Sequence, residues 1–409
     1  MTDENNKVTL VVNGSTIYEH WIDCSITAEL SAIARSFSVT ITAHLPQAQT
    51  VLTQFKLGDT VQVMIGSDLV LTGYIEQLPV SYDASSVTAS IAGRSKTCDL
   101  VDCCVCPPGR AVKLSSSSGW SSKTKPESGR VVTPPSVSAI SWRQQKLETI
   151  IAQMIAPYDV KFVVESGELS EVRSHDADPT KTVLENLKNL VQKDDLFLID
   201  TPQGNLSVVA KGSKTAADAL ILGKNVLSGS ASFDGSQLFS EYRVLGQGSG
   251  SDSKTGKAVS TYSGSTTNTV MPRLRIKTED NSGQGSDPSC LRQAEGDMLY
   301  DAAQFYKTSY TVQGWRQSDG SLWEVNSLVN VTDELLGLDA VQMLITRVTY
   351  SISESGMTTQ LELVPPAGFR AETSKGSDST SKGWKGKSGK KKTSSSTTKD
   401  LSFIKGKDE

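Results

Sequence analysis

Residues 55–102, FKLGDTVQVMIGSDLVLTGYIEQLPVSYDASSVTASIAGRSKTCDLVD, limit the fold more than any other stretch. Val61, Val63 and Ile65 alternate with polar residues, the period of a half-buried strand. Gly66-Ser67-Asp68 is a hairpin-type break, and a return strand is predicted over Leu69 to Ile75. After a turn-rich loop from Pro79 to Ser86, Val87, Ala89 and Ile91 alternate again, ending at Gly93-Arg94-Ser95-Lys96-Thr97. Three antiparallel strands in so short a span predict one wall of a small sandwich or barrel. This stretch contains no catalytic constellation.

The rest of the chain extends that pattern. Strands are expected at Val8–Val12, Asp23–Leu30 and Ser36–Ala43, with a short helix from Pro46 to Phe55. These complete a first β-barrel domain over 1–106. Residues 107–140, with Pro107-Pro108-Gly109 and a Ser115–Ser118 run, read as a Ser/Pro-rich linker or excursion. A small α/β domain is expected over 141–224. Its first helix runs Ser141–Ile155, with Ser141 and Gln144 as a capping box, and its second starts at a Thr182/Glu185 box. A strand at Val160–Val164 and a hairpin of Phe197–Asp200 and Leu206–Ala210 accompany them.

A second β-barrel domain with one helix is expected over 225–368. Phe239–Gly246 reads as a strand and 247–269 as a mobile loop. Asp287-Pro288 opens the helix as N-cap and first position, and strands follow at Ser309–Val312, Val329–Val331, Met343–Ile352 and Thr358–Leu363. Residues 369–409 read as a Lys/Ser/Gly-rich disordered tail. The fold class is therefore mainly β with an α+β insert: two similar β-barrel domains plus a small α/β domain. The two β domains share an outline, in which Val61-Gln62-Val63 and then Val80-Ser81-Tyr82 parallel Val329-Asn330-Val331 and then Val348-Thr349-Tyr350.

Phe55 to Val63, Leu69 to Ile75 and the closing Gly93-Arg94-Ser95-Lys96-Thr97-Cys98-Asp99-Leu100-Val101-Asp102 carry a resemblance. In order and spacing they resemble the baseplate hub proteins of contractile phage tails. The nearest branch is the Mu-type tail hub, with late control protein D and the first part of the type VI secretion spike as relatives. The resemblance covers about Val8 to Gly368. It implies a structural, non-catalytic homotrimer that adapts the sixfold tail tube to the threefold central spike. The implied partners are the tail tube protein, a spike protein, other baseplate proteins and a tape-measure protein. The implied location is the virion tail baseplate, assembled in the host cytoplasm. A secretion-system spike would continue into a long β-helix, where this chain has a Lys/Ser tail.

Charge and composition agree with such a chain. Residues 371–409 hold ten Lys against five Asp or Glu, while the whole chain carries −4, leaving the body at −9. The basic tail lacks aromatic interleaving except for Trp384, so no specific nucleic-acid binding is expected. The acidic start has no apolar signal region and no run is long enough to span a bilayer, so no membrane binding by this chain alone is expected.

The alternative reading is a tail-associated cell-wall hydrolase, which needs paired carboxylates in a cleft. His175-Asp176-Ala177-Asp178 is the best catalytic-looking cluster, but Asp178-Pro179 also reads as a turn. Asp194-Asp195 reads as a solvated acid pair between helix and strand. Gly246-Gln247-Gly248-Ser249-Gly250 follows a strand, but no helix start follows to complete a phosphate cradle. Cys103, Cys104 and Cys106 lack the second ligand pair of a structural zinc site, and His20, His44 and His175 are scattered. Trp315 and Trp323 read as cross-strand packing. Arg94 and Lys96 read equally as contacts on a barrel edge and as solvated strand ends. No catalytic, cofactor-binding or metal-binding residue is assigned.

Overall fold

The computed structural model describes residues 4–19, 21–43, 54–83, 87–106, 130–132, 140–165, 169–191, 196–247, 262–284, 286–353 and 356–369. The expected helix at 46–55, except for Gln54 and Phe55, which are not helical, and His20, His44, Asp194-Asp195 and the tail from 370 lie outside the described residues.

The first module comprises β1 (Val8–Val12), β2 (Thr16–Tyr18), β3 (Asp23–Glu29), β4 (Ser36–Ala43), β5 (Thr60–Ile65), β6 (Asp68–Gln77), β7 (Val80–Tyr82) and β8 (Val87–Ser95). All pairings among them are antiparallel, in the order β3-β4-β8-β6-β5-β1-β2, with β7 also on β8. The alternation works as expected. Val61, Val63, Ile65 and Ile91 are fully buried, each such side chain contributing about 1.5–3 kcal/mol over its exposed form. Glycine is needed where β6 bends across β8. A Cβ on Gly93 would lie 1.9 Å from the Tyr74 carbonyl oxygen, and one on Gly73 1.9 Å from that of Arg94. A short helix, α1 (Cys98–Asp102), ends the module.

The insert contains β9 (Arg130–Val132), β10 (Ser141–Lys146), α2 (Leu147–Ile155), β11 (Phe162–Val164), β12 (Glu171–Asp176), α3 (Val183–Val191), β13 (Leu196–Asp200) and β14 (Leu206–Ala210). β13-β14-β11-β9 form one sheet and β10-β12 another, with α2 and α3 contributing to the core between them. Two sequence expectations change here. Ser141–Lys146 is a strand, and α2 starts six residues later with Lys146 as its N-cap. Pairing with β12 and burial of Trp142, whose Nε1 donates to Gln153 Oε1 at 2.6 Å, override the local capping signal. The linker also contains β9, paired antiparallel with β11. The Thr182/Glu185 box forms as read, with bonds of 3.0 and 3.2 Å.

The second module follows: β15 (Lys214–Thr215), β16 (Leu220–Ile221), β17 (Val226–Ser232), β18 (Glu241–Gln247), β19 (Tyr262–Thr267), β20 (Ile276–Gln284), α4 (Asp287–Phe305), β21 (Lys307–Gln313), β22 (Ser327–Asp333), β23 (Leu338–Ser353) and β24 (Gly356–Val364). β19, expected within a loop, is a strand of a three-stranded side sheet β19-β18-β20 that packs on α4. The α4 cap is Ser286, in a capping box with Ser289, one residue before the expected Asp287.

Among the described residues, the strands of the two modules other than β18, β19 and β20 form a single 15-stranded sheet, because β23 pairs with β3. One apolar core accordingly runs from Val8 through both modules to Leu363. Phe369 closes a smaller cluster against Phe197 of the insert, with ring centroids 5.3 Å apart.

Candidate assembly interface

The junction of β3 and β23 shows how this chain joins one module to another. Arg347 to Ile352 lie antiparallel to Glu29 to Cys24, and Leu30 N donates to Thr346 O at 2.7 Å. Side chains alternate across the pleat. On the inner face, Val348, Tyr350, Cys24, Ile26 and Ala28 are buried. On the outer face, the Thr27 and Thr349 hydroxyls lie 3.1 Å apart, and Arg347 pairs with Glu29 (Nε to Oε2, 2.9 Å) and Glu362 (2.8 Å).

Burial pushes the Glu29 carboxyl up, but the Ser31 hydroxyl and Arg347 outweigh it and hold the group below its ordinary value. An acid with a lowered folded pKa stabilises above its unfolded value, near 4.3, and that contribution is lost as pH falls through the folded one. Acid titration followed by near-ultraviolet circular dichroism should therefore show a transition that shrinks in Glu29→Gln. An unchanged transition would remove Glu29 as its source.

The two modules are built on one register. In the first, Ile75 faces Gly93, a bulge follows, and Gln77, Val80 and Tyr82 face Ala92, Ala89 and Val87. In the second, Ile345 faces Leu363, a bulge follows, and Arg347, Tyr350 and Ile352 face Glu362, Thr359 and Met357. The strand successions also agree, with β3-β4-β8-β6 matching β17-β21-β24-β23. Aligning the bulges makes Val80 the counterpart of Tyr350 and Tyr82 that of Ile352. The parallel drawn from sequence alone was two residues off, because the connection from Val331 to its partner Val341 is two residues longer than that from Val63 to its partner Leu71, and an ungapped comparison does not see the insertion.

This match leaves two open edges. Among the described strands β7 pairs only with β8, and β17 only with β21 apart from a bridge at Val226. Both edges carry exposed apolar groups: Val80 is 42%, Tyr82 80%, Leu227 57% and Phe233 50% exposed. Unpaired edges with apolar side chains are templates for strand addition.

The residues singled out for chemistry have structural uses. His175 lies on β12 opposite Trp142, with the rings stacked at 5.8 Å. Asp176 forms a two-pronged ion pair with Arg143 (2.9 and 3.0 Å), and Asp178 accepts from Thr180 N and Oγ1 in a turn. The backbone of Cys103 and Cys104 ties α1 to the start of α3 through Val183 N and a bridge to Thr182. Among the described residues, no group of three or more His, Cys, Asp or Glu is placed to hold a metal ion.

Trp315 and Trp323 are core residues. Arg94 pairs with Glu76 and Asp102, and Lys96 with Asp159, so both cations of the proposed edge are engaged within the chain. A cleft of about 590 Å3 opens where insert and modules meet; its two cations pair within it as Arg35–Asp200 and Lys214–Glu324, and Asp68, Glu165 and Asp319 also line it. No described helix is long and apolar enough to cross a membrane.

Comparison with known proteins agrees with this arrangement. Residues 7–95 match the N-terminal domain family of the Mu phage baseplate assembly protein GpP-like proteins. Residues 135–210 match the second domain of the baseplate hub protein gp44-like family, and 299–372 the fourth domain of the GpP family. The chain is 26% identical over 380 residues to the baseplate hub protein gp44 of Escherichia phage Mu, covering 89% of each. Among solved structures, it is similar to the 43 kDa tail protein of prophage MuSo2 from Shewanella oneidensis. That match has a TM-score of 0.73 and 26% identity, covering 88% of this chain and 98% of the other. A tail protein from Neisseria meningitidis MC58 shares the fold, at TM-score 0.69 and 20% identity, over 90% of this chain and 98% of the other.

Proposed function

We infer that this chain, which belongs to the Mu-type family of phage-tail baseplate hub proteins, works as a homotrimeric adaptor between a sixfold tail tube and a threefold central spike. The observation that carries this reading is the shared register of the two modules, down to the position of the bulge. A chain with two equivalent modules presents six in a trimer, so a threefold assembly offers a sixfold partner six similar surfaces. The tail tube protein is the partner for that ring, and a separate spike protein is the partner for its threefold end. Other baseplate proteins and a tape-measure protein complete the contacts.

The role is structural and non-catalytic. The His175–Asp178 cluster supports this, since both of its carboxylates are committed to an ion pair and a turn. The units of this reading are two β domains over 1–106 and 225–368, an α/β domain over 141–224, a linker over 107–140 and a tail from 369, with β15 and β16 pairing into the second β domain and β9 of the linker pairing into the α/β domain. Phe369 itself is anchored in the core.

Light scattering on the purified chain tests the reading directly. Three copies of the 43.8 kDa chain give about 131 kDa, and that mass is expected. A single-chain mass that persists at high concentration would refute a self-assembling trimer.

A further inference from the structure

We propose that the chains join through one defined strand pair, in which β7 of one copy lies antiparallel to β17 of the next, repeating between chains the β23–β3 junction within each. The proposal rests on the trimeric reading and adds to it the two edges and their register.

The argument transfers the internal register. β23 holds β24 on one edge, while the other edge carries β22 along its first half and β3 along its second. β6 and β7 together hold β8 on one edge and β5 along the first half of the other. Among the described residues, the place that β3 takes on β23 is thus open beside β7. The counterpart of β3 is β17, whose outer edge is also open among the described residues apart from the bridge at Val226. Through the two sets of pairings, Ser228 matches Asp23, Gly229 matches Cys24, and the series continues to Ser232 with Thr27. The transferred pairs are therefore Tyr82 with Gly229, Ser81 with Ser230, Val80 with Ala231, Pro79 with Ser232 and Leu78 with Phe233.

These pairs have the right chemistry on both faces. On the face that is core at the internal junction, the open edges offer Leu78, Val80, Tyr82, Gly229, Ala231 and Phe233, where the Tyr82 hydroxyl is the one polar side-chain group. On the other face, Ser81–Ser230 stands where Ser25–Ser351 stands, and Pro79–Ser232 where Thr27–Thr349 stands. Tyr82 falls opposite Gly229, which has no side chain to obstruct its ring.

Pro79 is no obstacle. Its carbonyl accepts from Ser90 N on β8 at 3.0 Å. The N–H and C=O of one strand residue leave on the same side, so the donor that proline lacks would also have faced β8. Leu78, Val80 and Tyr82 then direct their backbone groups to the open edge. Thr346, bonded to Leu30, does the same at the internal junction. A head-to-tail contact of this kind closes into a ring when the rotation permits.

Ser81 and Ser230 form a pair whose backbone groups face away from each other, the spacing at which side chains lie closest and a disulfide fits. The full-length chain carrying both Ser81→Cys and Ser230→Cys should, under mild oxidation with oxidised glutathione, give two- and three-chain species on a non-reducing gel. Either single substitution should give neither, which controls for the six native cysteines. Ala231→Pro removes a donor aimed at the partner and none aimed at β21, so its light-scattering mass should fall from three chains to one with unchanged circular dichroism.

A trimeric mass with no bond in the paired variant would overturn the edge assignment and leave the trimer standing. A monomeric mass for the unsubstituted chain, with no bond in the paired variant, would overturn both.

Discussion

Arg35→Ala is expected to destabilise the chain by about 3–5 kcal/mol, the cost of leaving one member of a buried ion pair without its partner. Arg35 lies between β3 and β4, and Asp200 ends β13, so the pair fastens the insert to the first module. Arg35 N and Nε donate to the two Asp200 oxygens at 3.0 and 3.1 Å, and Nη1 donates to Val70 O at 3.1 Å. Burial raises the Asp200 carboxyl above its ordinary value even against the attraction of Arg35. Without the guanidinium, only the backbone N–H of residue 35 and the Ser95 hydroxyl still oppose the rise.

The sign of the pH effect follows. A carboxyl with a raised folded pKa binds more protons folded than unfolded, so stability falls as pH rises through that range. The Arg35→Ala deficit should therefore be largest at neutral pH and shrink toward pH 4. Adding Asp200→Asn should recover part of it and flatten the pH dependence. Urea unfolding of the three chains at two pH values measures this. A deficit independent of pH would mean that lost packing, and not the stranded carboxylate, is the cause.

Trp315→Ala should cost a similar amount, about 3–5 kcal/mol, as expected for a buried aromatic replaced by alanine. Trp315 is fully buried, and its Nε1 donates to the carbonyl oxygens of Ser351 and Thr358, each at 3.1 Å. Those carbonyls belong to β23 and β24 near the turn between them, so the indole fixes the end of β23 that carries β3. Trp315→Phe keeps most of the apolar area and loses only the donor, for about 1–3 kcal/mol. Equal losses for the two variants, read from denaturation midpoints, would show that packing contributes little and the hydrogen bonds nearly all.

Elements whose own residues carry the pattern were readable from sequence. Val61, Val63 and Ile65 had to form a strand because only a period of two buries all three. Thr182 and Glu185 had to cap a helix because each satisfies a backbone donor of the other. Elements defined by their neighbours were not readable. β17, Val-Leu-Ser-Gly-Ser-Ala-Ser, has no alternation to announce a strand and exists because β21 offers it an edge. Ser141–Lys146 carries a helix-start signal and is still a strand, with Gln144 at φ +50° where β10 adjusts to β12. The open edges were half visible. Val80 and Tyr82 could be seen as apolar, but their exposure depends on a missing neighbour, which no local pattern records.

The β3–β23 junction also bears on how the chain is made. Thr27 and Thr349 are neighbours in space but 322 positions apart in sequence. At about 5–20 residues per second, β3 leaves the ribosome on the order of half a minute before its partner strand exists. Through that interval each nascent chain carries an unclaimed edge with the same register preference as β17. A second nascent chain on the same messenger can capture it. Widely spaced ribosomes, or a chaperone that shields Cys24 to Glu29, would limit such capture.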